Sequence, residues 1–367
     1  MIYLDHNATT RCDERVVEAM LPYLHGMYGN PSSLYKLGRI ARSAIDTARE
    51  QILGLIDAPG AQIVFTSGGT EANALALASA LDRGLAISAI EHPSIFENAV
   101  YYRQCFRDLQ TLEVDGAGTM PLLALDKANW QAGDMASVML ANNETGVVQD
   151  LAVIAERLAE RGVNLHTDAV QALGKISFSF KKLGVKLMSL SSHKIYGPKG
   201  CGALAVAEDF VLKPWLRGGD QQYGWRAGTE NVAAIVGFGK AAELAKTEID
   251  TRETRMLALR MRLEQALRTI PGLVIFAEQA KRLPNTVQFG IPGINGEMLL
   301  MQLDQRNIAV SSGSACSASS GEISPVLTAM GVEASLAKSA IRVSLGKDNQ
   351  ETEIDQFVDV LKTLIAN

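Results

Sequence analysis

Cysteine is scarce: Cys12, Cys105, Cys201 and Cys316 are the four in 367 residues, widely spaced and without a CxxC pair. That argues against a disulfide framework or a cysteine-ligated zinc site and fits a reducing compartment, so a cytoplasmic location is expected and no metal is. Charge of one sign is lacking too. With 35 Lys and Arg against 40 Asp and Glu, the formal net charge is −5, which gives no bulk basic excess for nucleic acid. No apolar run reaches the length of a membrane span. Residues 1–6 have neither the basic nor the apolar region of a secretory signal. No repeat or low-complexity tract is present. The expected partners therefore include neither nucleic acid nor a membrane.

What is there is an ordinary core-forming composition, 47% hydrophobic and 20% charged, in a chain long enough for one large and one smaller domain. Residues 13–57 read as two helical stretches separated by the Gly29-Asn30-Pro31-Ser32-Ser33 turn. Strands and helices then alternate: strands at 63–65, 85–88, 138–140 and 164–166, with helices at 71–80, 93–107 and 151–161. Such alternation predicts an α/β domain around a mostly parallel sheet, with functional residues at strand ends. A charged amphipathic helix from about Glu243 to Thr269 leads into a smaller α+β unit with strands at 285–289, 307–310 and 341–344.

Three strand-end features carry chemistry. Phe65-Thr66-Ser67-Gly68-Gly69-Thr70-Glu71 joins a strand to a helix start, where backbone N–H groups and the helix dipole suit a phosphate. Helix capping by Thr70 explains the same residues equally well. The loop is neither a Walker sequence nor GxGxxG, which disfavours a nucleotide. Asp168 follows the apolar strand Asn164-Leu165-His166; a carboxylate there can pair with a protonated ring nitrogen, or simply cap the next helix. Lys194 ends the apolar stretch Leu187, Met188, Leu190 and enters a Gly- and Pro-rich loop. An amine so placed can form a Schiff base with an aldehyde cofactor. Phosphate site, ring-nitrogen carboxylate and amine, in that order, describe the needs of pyridoxal phosphate.

With these residues in place, the chain resembles the cysteine desulfurases, in the class V aminotransferase branch of fold type I pyridoxal-phosphate enzymes. The likeness runs nearly end to end. It includes Asp5-His6-Asn7-Ala8-Thr9-Thr10, Ser67-Gly68-Gly69-Thr70-Glu71-Ala72-Asn73, Glu91-His92, Asn142-Asn143-Glu144-Thr145-Gly146 and His166-Thr167-Asp168-Ala169-Val170-Gln171. It continues through Ser192-His193-Lys194, Arg226-Ala227-Gly228-Thr229-Glu230-Asn231, Ser311-Ser312-Gly313-Ser314-Ala315-Cys316-Ser317 and Ile341-Arg342-Val343-Ser344. The segment Gly218-Gly219-Asp220-Gln221-Gln222-Tyr223-Gly224 departs from the family's usual Gly-Gly-Gly-Gln-Glu-Arg-Gly.

The resemblance implies a large domain with a mostly parallel seven-stranded sheet over residues 13–245. It implies a small domain from 1–12 and 246–367 that carries the Cys316 segment. It implies that Lys194 bears pyridoxal 5'-phosphate, Asp168 pairs with its ring nitrogen and Gln171 bonds its ring hydroxyl oxygen. Gly69, Thr70, Ser191 and His193 would hold the phosphate, His92 would stack on the ring and take part in proton transfer, and Thr229 would reach a partner subunit's phosphate in a homodimer. Asn143 and Arg342 would bind the substrate carboxylate; the plainer reading of Arg342 is a structural ion pair.

Cys316 lies in a run of small residues, Ser311 to Gly321, where a thiol is a better nucleophile candidate than a buried one. The other three cysteines read as structural. The implied reaction converts L-cysteine to L-alanine, with the sulfur left as a persulfide on Cys316 for an acceptor protein in iron–sulfur or other thio-cofactor assembly. The alternatives are a pyridoxal-phosphate C–S lyase or aminotransferase of the same fold, and a catalytically idle sulfur-trafficking protein.

Overall fold

Strands that are apolar on both faces dictate a sheet covered on both sides, and the computed structural model, which describes residues 1–312 and 323–366, has one. In chain order the strands are β1 (Ile2–Tyr3), β2 (Gln62–Thr66), β3 (Gly84–Ser88), β4 (Asp108–Leu112), β5 (Met135–Ser137) and β6 (Asn164–Asp168). They continue with β7 (Leu187–Ser191), β8 (Gly202–Val206), β9 (Val274–Ile275), β10 (Thr286–Gly290), β11 (Ile308–Ala309) and β12 (Ile341–Ser344). The large sheet has seven strands in the order β2-β8-β7-β6-β5-β3-β4. Only β8 runs against its neighbours.

Side chains alternate between two cores, as strand geometry requires. Ile63, Phe65, Met188, Leu190, Ala203 and Ala205 enter one core; Val64, Leu187, Leu204 and Val206 enter the other. Of the helices, α1 (Glu14–His25), α2 (Lys36–Leu55), α3 (Gly69–Ala78), α4 (Pro93–Tyr101), α5 (Leu122–Lys127), α6 (Leu151–Ala159) and α7 (Phe180–Leu183) belong to this part of the chain. The 36-residue α8 (Val232–Leu267) follows.

The rest of the chain builds a three-stranded antiparallel sheet, β12-β10-β9, and the parallel pair β1–β11. Helices α9 (Gly296–Asp304), α10 (Pro325–Ala329), α11 (Ala334–Ala337) and α12 (Glu351–Ile365) belong here. Leu4, Val287, Phe289, Ile341, Val343 and Phe357 form its core. Helix α8 serves both parts: Ala234, Phe238, Ala241 and Ala245 pack against the large sheet, and Leu259, Leu263 and Leu267 against the small one.

Four sequence expectations are corrected. The fifth strand is Met135–Ser137, not 138–140, although Val138 N and Leu140 N still donate along β6 to His166 O and Asp168 O at 3.0 Å. The helix expected over 93–107 stops at Tyr101, with a separate 3-10 turn at Arg103–Cys105. Helix α8 begins eleven residues before Glu243 (243 − 232). Cys105, expected to be structural, is exposed. Among the described residues no helix is long and apolar enough to cross a membrane.

Candidate active site

The ends of β6 and β7, the start of α3 and the start of α4 converge on one cavity of about 200 Å³. Gly69, Thr70, His92, Asn143, Asp168, Gln171, Ser191, His193 and Lys194 all line it. Parallel strands with helices on both faces bring strand-end loops together in this way.

Asp168 closes β6 and is buried. Its Oδ1 accepts from Val170 N (2.9 Å) and its Oδ2 from Asn73 Nδ2 (2.8 Å), which fixes the carboxylate plane. Asn73 Nδ2 also donates to Ser94 Oγ (2.8 Å), which in turn lies 2.8 Å from His92 Nδ1. A chain of polar side chains thus joins the carboxylate to the imidazole.

His92 caps α4, with Nδ1 accepting from Ser94 N (3.1 Å). A nitrogen that accepts a backbone N–H is unprotonated, so the neutral ring carries its proton on Nε2. Burial, and then the Lys194 ammonium, lower the His92 pKa against the pull of Asp168. His193 Nδ1 lies 3.0 Å from Thr9 Oγ1, and burial together with Lys194 and Lys199 lowers its pKa to about 4. Both rings are neutral at neutral pH.

The turn that carries Lys194, Ser192–Lys194, is clasped by the N-terminal segment. Thr10 donates through N (3.0 Å) and Oγ1 (2.8 Å) to His193 O. Lys194 Nζ donates to Asn7 O and to Ala8 O, the latter at 2.8 Å.

At the start of α3 the capping alternative fails. The N-cap is Gly68, not Thr70, and no side chain caps the helix. The first N–H groups are left for another acceptor. Ser191 Oγ is buried there without a hydrogen-bond partner. A Cβ at Gly69 would come within 3.1 Å of Val170 Cγ2 and 3.6 Å of Ser191 Cβ, so glycine keeps this corner open. Uncapped N–H groups and an orphaned hydroxyl beside a fixed carboxylate and an amine fit a phosphorylated, aldehyde-bearing, nitrogenous ring.

Residues 2–357 match the family model described as Aminotransferase class-V. The cysteine desulfurase of Trichormus azollae is 41% identical over 100% of this chain and 93% of its own. Cysteine desulfurase IscS of Methanosarcina thermophila is 40% identical over 99% of this chain and 92% of its own. The chain belongs to the cysteine desulfurase family. A solved structure of a NifS-like protein from Rickettsia africae ESF-5 has a TM-score of 0.93 at 36% identity, with 100% of both chains covered. Cysteine desulfurases are enzymes of a pyridoxal-phosphate-dependent family, and the α/β fold with its mostly parallel seven-stranded sheet is that of fold type I.

Two described residues expected in this desulfurase site, Arg342 and Thr229, are not in the cavity lining. Arg342, on β12, sits behind Asn143. Its Nη1 donates to Asn143 O (3.0 Å) and its Nη2 to Asp5 Oδ1 (2.6 Å), so the plainer ion-pair reading describes a contact it makes. Thr229 is exposed. Cys316 falls outside the described residues. The chain on either side of that segment is anchored beside the site. Ser311 and Arg342 exchange backbone hydrogen bonds (3.1 and 2.6 Å), and Ser324 Oγ donates to Glu144 Oε2 (2.6 Å). The remaining thiols lie outside the cavity lining, and burial raises the pKa of Cys12 and pushes that of Cys201 up to about 12.

The sequence reading assigned no role to Asn7, Asn73, Ser94, Met139, Val170 or Lys175. Asn7 and Asn73 lie inside quoted motifs, and Ser94 follows His92 by two residues, so proximity to the motifs was their only signal. Met139 had none.

Proposed function

We propose that this cysteine desulfurase binds pyridoxal 5'-phosphate in the 200 Å³ cavity and converts L-cysteine to L-alanine with transfer of sulfur to Cys316. The observation that carries the reading is the meeting, in one cavity, of the uncapped α3 start and orphaned Ser191 hydroxyl with Asp168 and Lys194. Bound there, the cofactor supplies an aldehyde for the Lys194 amine and an electron-withdrawing ring that acidifies the substrate Cα–H.

The protein's side chains do the rest. Asp168, its plane set by Asn73 and Val170, would pair with the ring nitrogen. Neutral His92, in the cavity lining, would cover the ring and hand on the proton at Nε2. Lys194 would take the substrate Cα proton at Nζ. Thr70, Ser191 and His193 hold the phosphate, and Asn143 with Arg342 reads the substrate carboxylate. The Cys316 thiolate forms an S–S bond to the substrate sulfur as the Cβ–S bond breaks. The balance is L-cysteine plus Cys316 thiol giving L-alanine plus Cys316 persulfide. An acceptor protein then takes the sulfur.

Thr229, exposed and away from its own chain's cavity, completes a site only in a second copy, so the working unit in this reading is a homodimer. Sedimentation of the wild type as a dimer is expected; a monomer contradicts it. A cytoplasmic location belongs to this reading, and the sparse, unpaired cysteines support it.

The test is alanine release from cysteine. Lys194→Ala loses the visible absorbance of the bound cofactor and all turnover. Cys316→Ser keeps the absorbance and loses alanine release. Unchanged alanine release in Cys316→Ser overturns the thiol's role in favour of a lyase.

A further inference from the structure

Lys175 is a buried lysine that no step above uses. It lies four residues beyond Gln171 (175 − 171) and is 5% exposed. Its Nζ donates to Gln171 Oε1 (2.7 Å) and to Asn7 Oδ1 (2.7 Å). The charged groups acting on it are cations, Lys194 and Arg342, and with burial they lower its pKa well below the ordinary lysine range. A buried amine without a counter-charge is costly to keep. What it gains here is two amide oxygens.

Those two bonds settle which way each amide points. An amide whose oxygen faces an amine must turn its NH2 the other way. Gln171 therefore presents Nε2, which donates to Asn7 O (3.0 Å) at the cavity wall. Asn7 is fixed by the same logic. Its Oδ1 takes Lys175 and Asn285 Nδ2 (3.0 Å), its Nδ2 goes to Asn143 O (3.1 Å) and Thr286 Oγ1 (2.9 Å), and its backbone oxygen takes Lys194 Nζ. Lys175 is thus one bond from the residue assigned to the ring oxygen and two from the Schiff-base lysine.

We propose that Lys175 is a positioning residue: through Gln171 Oε1 and Asn7 Oδ1 it locks Gln171 as a hydrogen-bond donor towards the cofactor's ring oxygen. The inference rests on the pyridoxal-phosphate reading. A donor facing that oxygen draws charge away from it and weakens its hold on the neighbouring proton that sets the cofactor's colour. Losing the lock lets the Gln171 amide turn over and strengthens that hold.

The test is the visible absorbance of the holoenzyme against pH. The titratable and charged groups facing the cavity are Asp168, His92, His193 and Lys194, with Arg342 and Lys175 behind. In Lys175→Met the band persists and its midpoint moves up by about one pH unit, a tenfold change in proton binding. Gln171→Ala moves it in the same direction. The double variant equals Gln171→Ala alone, because a residue acting only through Gln171 has nothing further to lose. Lys175→Gln, which keeps an uncharged N–H donor, lies between wild type and Lys175→Met, and below Gln171→Ala; a Lys175→Gln midpoint at or above that of Gln171→Ala overturns the proposal if Lys175→Met does not fold.

A wild-type midpoint in Lys175→Met, an additive double variant, or a Lys175→Gln shift larger than that of Lys175→Met overturns the proposal. Wild-type protein with no visible band after cofactor addition overturns the function reading instead, so the two failures are distinguishable.

Discussion

Arg342 has two demands on one guanidinium. Its Nη2 holds Asp5 Oδ1 at 2.6 Å and its Nη1 holds Asn143 O at 3.0 Å, while its assigned task is to grip a substrate carboxylate beside Asn143. The two are compatible, because five donors arranged as a fork serve more than one acceptor. Lysine keeps the charge and loses the fork. Arg342→Lys is expected to raise KM for cysteine by roughly 10- to 100-fold, the equivalent of about 1.5–3 kcal/mol for a hydrogen bond to a charged group. Steady-state kinetics beside a melting curve checks it. A lowered melting temperature with unchanged KM contradicts the assignment and leaves only the ion pair. The residue type and its place on a strand were legible in the sequence. Asp5, 337 positions away, was not, because tertiary pairing leaves no local pattern.

Helix α8 shows what limits such reading at the scale of an element. Its second half alternates charged and apolar residues, and the sequence announced it. Its first half, Val232 to Ala245, is buried except along one narrow stripe, Val232, Val236, Lys240 and Glu243, and small apolar residues on the remaining sides leave only a faint amphipathic period to find. The edge strand β4 was missed for the opposite reason: Asp108, Gln110 and Thr111 are polar and only partly covered. The strand end that leads to Lys194 was legible because the apolar run Leu187, Met188, Leu190 stops just before it, whereas Asp168 follows Asn164-Leu165-His166-Thr167 and was legible chiefly through its motif.

Close packing inside α8 can be tested at Gly239, where an added Cβ would lie 2.7 Å from both Cα and Cβ of Ala48 on α2. Alanine gains about 1 kcal/mol of helix propensity over glycine. The clash is with backbone, and overpacking typically costs about 1–3 kcal/mol. Gly239→Ala is expected to lower the denaturant midpoint; a raised midpoint contradicts this packing.

At the scale of the whole molecule, buried histidines set the acid limit. Burial lowers the pKa of His6 and His193 to about 4 and of His166 to about 3, from an ordinary 6.5. Each is neutral when folded and takes a proton when unfolded below 6.5, so stability rises with pH through that window and is lost as pH falls towards 4. Glu91, raised to about 8 by burial, holds a proton when folded and works in the opposite direction, as does Glu144. Three histidines outweigh two carboxyls between pH 5 and 6.5. The thermal midpoint is expected to be lower at pH 5 than at pH 7; an equal or higher midpoint at pH 5 contradicts this balance.

The two lobes meet at Asn7, which bonds Asn285, Thr286 and Ser344 on one side and Gln171, Lys175 and Lys194 on the other. Lys194, the lysine proposed to bear the cofactor, is thereby tied to the lobe whose sequence carries Cys316. The most direct test of that partnership is a peptide mass spectrum of the holoenzyme after brief exposure to L-cysteine without an acceptor. The account predicts one added sulfur on the Cys316 peptide, absent from Lys194→Ala. Unmodified Cys316 in protein that releases alanine, or the same adduct in Lys194→Ala, would contradict it.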